Sequence, residues 1–232
     1  MTSTAPLKAA VFASGGGTNL QALLDHQGDE TPWRIHLLIA DRAGAGALAR
    51  SEAAGVDARV IPTKGRDVAD VAADTLRALE EHDVDVIFLA GYLKLIPGPV
   101  IERYRGRILN IHPALLPSFG GQGMWGMHVH RAVVAAGARV TGPTVHLVDE
   151  EYDKGAILAQ WPVPVHPADT PEAVAARVLE VEHRLYPLTA DHVCRTLLQG
   201  RAATPLDLPG QAFALVTDGV VSGPAQEPES RT

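Results

Sequence analysis

Two polar side chains that could carry out acyl transfer stand close together near the middle of the chain. Asn110 and His112 alternate within the apolar run 108–113, and side chains two residues apart on a strand point to the same face. An amide can donate a hydrogen bond to a developing oxyanion, and an imidazole can move protons near neutral pH. The pair predicts a catalytic site, although a buried, satisfied His–Asn pair would give the same pattern.

A glycine-rich segment near the N-terminus has the features of an anion site. A strand predicted at 8–14 is followed by three glycines and then by a helical pattern that begins at Thr18. Free backbone N–H groups and the helix dipole converge there, so Gly17, Thr18 and Asn19 could hold a phosphate. A single phosphate monoester fits better than a dinucleotide, because Leu20 stands where the dinucleotide fingerprint needs glycine. The alternative is a tight turn with no ligand.

Asp41 keeps a nicotinamide-dependent dehydrogenase open as a rival function. It follows the second predicted strand at about the distance of a ribose-binding acid in such enzymes. The residue could equally cap the next helix or simply end the strand. A phosphate-sugar sensor without catalytic activity is a second rival, since no single feature of the sequence proves turnover.

Strand and helix patterns alternate over the first half of the chain, and this predicts an α/β fold with a doubly wound, mostly parallel sheet in three layers. An antiparallel β extension and a long C-terminal helix should complete the fold. The predicted strands are 8–14, 34–40, 58–62, 85–90, 107–111, 140–148 and 156–165. The first predicted helix starts near Thr18, and the others cover 45–54, 66–82, 128–136 and 171–199. A loop rich in proline and glycine is predicted at 113–126.

Composition narrows the class of protein. The net charge of -7 argues against nucleic acid as a partner, so small molecules are expected instead. No apolar run is long enough to span a bilayer, no secretory signal precedes Lys8, and the single Cys194 gives no disulfide, so a cytoplasmic protein is expected. The histidines have no carboxylate or cysteine at the close spacing that a metal site needs, so no bound metal is predicted. The oligomeric state stays open, with a homodimer among the options.

We expect one domain at 8–200, flanked by a flexible segment at 1–7. A C-terminal extension at 201–220 should follow, and the tail at 221–232, rich in Pro, Ser and Glu, should be disordered.

Four motifs lie along the chain, at 14–21, 89–92, 110–117, and 144–150 with Asp153. Together they resemble the phosphoribosylglycinamide formyltransferase family, within the formyltetrahydrofolate-using superfamily, and the similarity covers about residues 8–200. The resemblance implies the Rossmann-like formyltransferase fold. It also implies an enzyme of de novo purine biosynthesis that transfers the formyl group of 10-formyltetrahydrofolate to the amine of N1-(5-phosphoribosyl)glycinamide. Transfer would be direct, through a tetrahedral intermediate, without a metal or a covalent enzyme intermediate.

The resemblance also implies catalytic roles. Asn110 would hold the formyl oxygen, His112 would act beside that oxygen, and Asp153 would position water and support His112. A nearby carboxylate favours imidazolium, so we expect the pKa of His112 to be raised.

Binding residues follow from the same resemblance. Phosphate would lie at Gly17, Thr18 and Asn19, and Glu182 would reach the ribose or glycinamide end. The folate would contact Arg66, Leu93, Lys94, Leu95, Ile96, Asn110, Asp149, Glu150, Glu151, Tyr152 and Asp153. Apart from the resemblance, the apolar members of this set would be assigned to the core, and Arg66 and Glu182 to solvated helix faces.

Other members of the superfamily are weaker alternatives. Methionyl-tRNA formyltransferase needs an additional basic C-terminal domain, whereas the tail here is short and acidic. Formyltetrahydrofolate hydrolase shares the catalytic residues but carries an extra N-terminal domain. Two departures from the family pattern stand out, the loop at 120–127 and Lys154 directly after Asp153.

Overall fold

The computed structural model describes residues 5–206. Its main sheet has seven strands in the order β3-β2-β1-β4-β5-β7-β8, and a separate two-stranded sheet joins β6 to β9. Strands β1 to β5 pair in parallel, whereas β7 pairs antiparallel with both β5 and β8. The strands are β1 Leu7–Ala13, β2 Trp33–Ala40, β3 Asp57–Val60, β4 Val86–Leu89, β5 Ile108–His112, β6 Val140–Thr141, β7 Thr144–Leu147, β8 Ile157–Gln160 and β9 Val163–Pro164.

Six helices connect and cover these strands. They are α1 Thr18–His26, α2 Ala47–Ala53, α3 Val68–Glu81, α4 Gly98–Arg103, α5 Met127–Ala135 and α6 Pro171–Leu198. Alternate side chains of the buried strands point to opposite faces, so each strand supplies two cores. Ala9 and Val11 pack with α1 and α6 on one face, whereas Ala10 and Phe12 pack with α3 and α4 on the other. The result is three layers, with the sheet in the middle.

Two of the longer helices begin at residues that suit their first turn. Asp67 accepts a hydrogen bond from the backbone N–H of Ala69, and Thr170 accepts one from Ala173. Such side chains satisfy N–H groups that have no partner within the helix. Helix α6 is anchored deeper in the fold, because the Tyr186 hydroxyl contacts the carbonyl oxygens of Leu89 and Leu109 at 3.1 and 3.0 Å. It therefore lies directly against the end of β4 and the start of β5.

The predicted fold class is confirmed, and the differences are local. The two long β segments predicted at 140–148 and 156–165 are each divided into two short strands. Gly142 and Pro143 interrupt the first, and Pro162 lies in the break of the second; proline cannot donate to a ladder. Gly142 also allows a close approach, since a Cβ there would lie 1.9 Å from the Trp161 carbonyl oxygen.

Helix α4 was not predicted from the sequence. It is short, and it lies in the crossover between the parallel strands β4 and β5, after Pro97. Within residues 5–206, no helix is long and apolar enough to cross a bilayer. The predicted domain bounds stay a prediction, and residues 1–4 and 207–232, which hold most of the extension and the tail, lie outside the described part of the chain.

Candidate active site

Strands β5 and β7 place the central polar side chains next to each other. Their antiparallel register pairs Asn110 with His146 and His112 with Thr144. The Thr144 hydroxyl accepts from the Leu116 N–H at 3.0 Å and donates to the Ala114 carbonyl at 2.6 Å. These bonds fix the segment that follows β5. His112, the last residue of the strand, is therefore held in place.

Asp153 reaches this strand end from the turn between β7 and β8. Its backbone has a positive φ of 56°, which is uncommon for a residue other than glycine. The Gly121 N–H donates to its Oδ2 at 2.9 Å. Gly155 lets the turn close, because a Cβ there would lie 1.8 Å from the Leu147 carbonyl oxygen. The Gly121 N–H and the close contact of Gly155 with the Leu147 backbone therefore fix the position of the carboxylate.

Two of the three proposed catalytic groups contact each other directly, and Asn110 is linked to them through His146. Nδ1 of His112 lies 3.5 Å from Oδ2 of Asp153, and Nε2 lies 2.9 Å from the Phe119 carbonyl oxygen. Since a carbonyl can only accept, Nε2 carries the hydrogen, and a neutral His112 presents an unprotonated Nδ1 to the carboxylate. Protonation at Nδ1 would make this contact an ion pair. To reach a bound formyl oxygen, the N–H at Nε2 must exchange Phe119 for that oxygen.

The expected rise in the pKa of His112 is wrong in net direction. Burial lowers the pKa of His112, and although the Asp153 carboxylate and the Phe119 carbonyl raise it, burial outweighs them. For Asp153, burial alone would raise the pKa. At the acidic pH where this carboxyl titrates, a hydrogen bond from His146, the charge of protonated His112 and the Gly121 N–H together hold the pKa of Asp153 below its usual value. The carboxylate thus stays charged beside a neutral imidazole at pH 7.

His146 connects the amide and the carboxylate. Its Nδ1 lies 2.7 Å from the Leu147 carbonyl oxygen and must donate there. A neutral His146 then accepts a hydrogen of the Asn110 amide at Nε2, 3.0 Å away, whereas a charged His146 would donate from Nε2 to Asp153 at 3.5 Å. The shorter contact favours the first arrangement. The second amide hydrogen of Asn110 stays available for a ligand.

These groups line a cavity of about 650 Å³, a volume in the range of small-molecule sites. Twelve of the residues predicted to bind or react lie on its wall. They are Asn19, Leu93, Lys94, Leu95, Ile96, Asn110, His112, Asp149, Glu151, Tyr152, Asp153 and Glu182. Most of the residues that the sequence assigned to the site therefore lie around one cavity.

The α6 side of the cavity carries a buried acid and amide. Nδ2 of Asn19 donates to Oε2 of Glu182 at 2.7 Å, and both residues are buried. Burial raises the pKa of Glu182 to about 7, although the bond from Asn19 opposes the shift. Oδ1 of Asn19 has no hydrogen-bond partner among the described residues. Both side chains can exchange their mutual bond for polar groups of a ligand.

The glycine segment contributes less directly than predicted. Gly17 has φ 74° and packs so closely on α2 that a Cβ would lie 2.8 Å from the Ala47 Cα, which is a structural reason for glycine there. Thr18 is exposed and lines a neighbouring groove with Arg50, not the main cavity. Nε of Arg50 donates to the Gly16 carbonyl at 2.8 Å, which brings a positive charge to the start of α1.

Two residues predicted to meet the folate have partners elsewhere. Arg66 pairs with Asp74 at 2.6 Å, and Glu150 pairs with Arg105 at 2.7 Å. Neither is among the described residues that line the cavity.

Sequence reasoning left out several residues of the wall. His130 was not assigned to the site from the sequence, and the loop at 120–127 was noted only as a departure from the family pattern, yet His130 and residues 121–127 line the cavity. His146 had a readable signal, because it alternates with Thr144 on a strand just as His112 alternates with Asn110. Over residues 5–206, no group of three or more His, Cys, Asp or Glu side chains could hold a metal ion.

Comparison with known proteins places this site in context. The family model described as formyl transferase matches residues 7–190. A chloroplastic phosphoribosylglycinamide formyltransferase of Arabidopsis thaliana is 42% identical over 197 residues, covering 84% of this chain and 68% of that protein. A trifunctional purine biosynthetic protein adenosine-3 of Gallus gallus is 44% identical over 200 residues. The chain spans 19% of the length of that larger protein.

Solved structures are similar along most of the described chain. The phosphoribosylglycinamide formyltransferase from Brucella melitensis has a TM-score of 0.75 at 44% identity, covering 82% of this chain and 96% of that one. A formyltetrahydrofolate deformylase from Pseudomonas syringae pv. tomato has a TM-score of 0.74 at 25% identity, covering 82% of this chain and 62% of that one. The fold is thus shared by a formyltransferase and a deformylase, and the identity to the formyltransferase is higher.

Proposed function

This chain belongs to the formyl transferase family, and from that premise we propose that it transfers the formyl group of 10-formyltetrahydrofolate to the amine of N1-(5-phosphoribosyl)glycinamide. Attack of the amine on the formyl carbon gives a tetrahedral intermediate, and loss of the folate nitrogen gives the formylated product. The substrate amine loses a proton and the folate nitrogen gains one. The reaction therefore needs oxyanion stabilisation and a path for one proton, and it is a step of de novo purine biosynthesis.

One observation carries the proposal, namely that Asn110, His112 and Asp153 meet on the wall of one cavity. Asn110 keeps an amide hydrogen for the formyl oxygen, since His146 takes only one. His112 can accept a proton at Nδ1 while Asp153 stabilises the resulting imidazolium. These groups suit proton transfer around a tetrahedral carbon.

The binding assignments are proposals of the same kind. The folate lies against Leu93, Leu95 and Ile96, which are apolar like a pterin ring, and against the turn 149–153. Asn19 and Glu182 hold the ribose or glycinamide end. The phosphate lies at the start of α1, near Gly17 and Thr18, where Arg50 adds charge. The arginine at position 66 would have to leave Asp74 to meet folate carboxylates.

The remaining parts of the proposal are a metal-free, cytoplasmic enzyme that acts on small molecules and does not bind nucleic acid or membranes. Formyltetrahydrofolate hydrolase is the second candidate, because a deformylase shares the fold and the same three groups could activate water. The buried Asn19–Glu182 pair favours the transferase, since a hydrolase has no need of a second polar subsite for an amine substrate.

The test follows folate absorbance with 10-formyltetrahydrofolate as the donor. Purified protein is assayed with and without N1-(5-phosphoribosyl)glycinamide. We expect deformylation only when the amine substrate is present. Deformylation without it would identify a hydrolase, and no deformylation under either condition would reject both enzymatic functions.

A further inference from the structure

One cavity side chain has no part in the proposed chemistry although its burial is costly. His130 lies in the first turn of α5 and is 5% exposed. It lines the same cavity as Asn110 and His112, and its Nδ1 has no hydrogen-bond partner among the described residues. A buried polar group without a partner costs free energy, so a packing role would be better served by an apolar side chain.

The ring of His130 is neutral at pH 7. Burial lowers its pKa, and the charge that His112 takes up lowers the pKa of His130 further. A neutral imidazole offers one donor and one acceptor nitrogen. It therefore suits an uncharged polar group, such as an amide or a hydroxyl, better than a phosphate or a carboxylate.

The position of His130 selects one of the two substrates. Helix α5 packs against α6, and Val129 and Val133 share an apolar cluster with Val174 and Val178. Helix α6 carries Glu182 on the face of the sheet that also holds α1. The residues assigned to the folate lie toward the other face, where Ile96 belongs to the cluster that α3 and α4 form.

His130 thus stands on the amine-substrate side, beside the place of formyl transfer. The atoms of that substrate next to its reacting amine are those of the glycinamide, whose carboxamide is uncharged. We propose that His130 binds the carboxamide of N1-(5-phosphoribosyl)glycinamide through a hydrogen bond, and so holds the attacking amine toward the formyl carbon. This inference rests on the proposed function.

The test uses His130→Leu, which is of similar size but cannot form hydrogen bonds, and His130→Gln, which can. Losing a neutral hydrogen bond predicts a rise of roughly threefold to tenfold in the KM for the amine substrate with His130→Leu. The KM for 10-formyltetrahydrofolate should stay within about twofold. His130→Gln should recover most of the loss. His36→Leu, at an exposed position on β2, is the control and should change neither constant.

Thermal unfolding separates binding from a structural role. If His130 serves a ligand, His130→Leu removes an unsatisfied group, and the Tm should be equal to or above that of the wild type. A lower Tm together with equal rises in both KM values would assign His130 to packing and overturn the inference, as would an unchanged KM for the amine substrate. Failure of the wild type to use the amine substrate would instead reject the proposed function.

Discussion

His112 lies between a backbone carbonyl and a carboxylate, and this position decides its chemistry. Phe119 holds the hydrogen of Nε2, while Nδ1 faces Asp153 at 3.5 Å. Since burial lowers its pKa, the imidazole is ready to accept a proton rather than already charged. The proton that it accepts is stabilised by the carboxylate in the same cavity. A base that becomes an acid within one turnover needs this balance.

Replacing His112 with alanine should act on turnover far more than on binding. We expect kcat to fall by about a hundredfold or more, because the side chain acts on charge that develops in the transition state. Binding of N1-(5-phosphoribosyl)glycinamide, measured by calorimetry, should change much less. His36→Ala, at an exposed position, provides the matched control. A His112→Ala enzyme with wild-type kcat would remove His112 from the mechanism.

Sequence reasoning reached Asn110 and His112 because both lie on one strand, where alternation alone places them on one face. The environment of His112 could not be predicted from the sequence. Whether a neighbouring carboxylate or burial dominates the pKa depends on packing from distant segments, and here burial dominates. Arg66 illustrates the same limit, since it precedes α3 and pairs with Asp74 on that helix, a contact that the sequence does not show.

At the scale of elements, the strand ends carry the site and the turns complete it. Alternating strand and helix patterns predicted the parallel sheet, and the family resemblance drawn from four motifs is confirmed. The division of the last β segments was not predicted, although Pro143 and Pro162 are visible in the sequence; the close contact of Gly142 with Trp161 is seen only in the structure. Helix α4 was missed because six residues are too few for a readable helical period.

The turn between β7 and β8 should tolerate no side chain at Gly155. A Cβ there would meet the Leu147 carbonyl oxygen at 1.8 Å, so Gly155→Ala must displace the turn that holds Asp153. We expect a loss of about 2 to 4 kcal/mol in the free energy of unfolding and a fall in kcat of roughly tenfold or more. Urea unfolding and the folate assay measure these effects.

Gly28→Ala is the control for this substitution, since a Cβ at Gly28 meets no atom within 4 Å and its φ is not positive. It should leave both quantities near the wild-type values. If Gly155→Ala also left kcat unchanged, the exact placement of Asp153 by this turn would not matter for the reaction.

For the molecule as a whole, the site brings together two helices that are far apart in the sequence. Asn19 on α1 and Glu182 on α6 meet at 2.7 Å beside the cavity, and the carboxyl group is almost completely buried. The free-energy cost of burying this carboxyl group depends on pH, because burial opposes only the charged form. Global stability should therefore report on a residue that we assign to substrate binding.

Folding raises the pKa of Glu182 from its usual 4.5 to about 7. Below pH 4.5 the carboxyl holds its proton in both the folded and the unfolded chain, but between pH 4.5 and 7 only the folded protein holds it. The contribution of Glu182 to stability is therefore lost as the pH rises through this window. Glu182→Gln stays uncharged and escapes the loss, so at pH 8 it should be more stable than the wild type by about 3 kcal/mol.

Urea unfolding of both proteins at pH 4.5 and pH 8 tests this difference. At pH 4.5 the free energies of unfolding should agree within about 0.5 kcal/mol, since the folded carboxyl is then neutral and the unfolded one is only half ionised. Glu180→Gln, at an exposed position on α6, should follow the wild type at both pH values. An equal gap between Glu182→Gln and the wild type at the two pH values would mean that folding does not raise the pKa of Glu182. The cavity would then present a charged carboxylate to its substrate at pH 8.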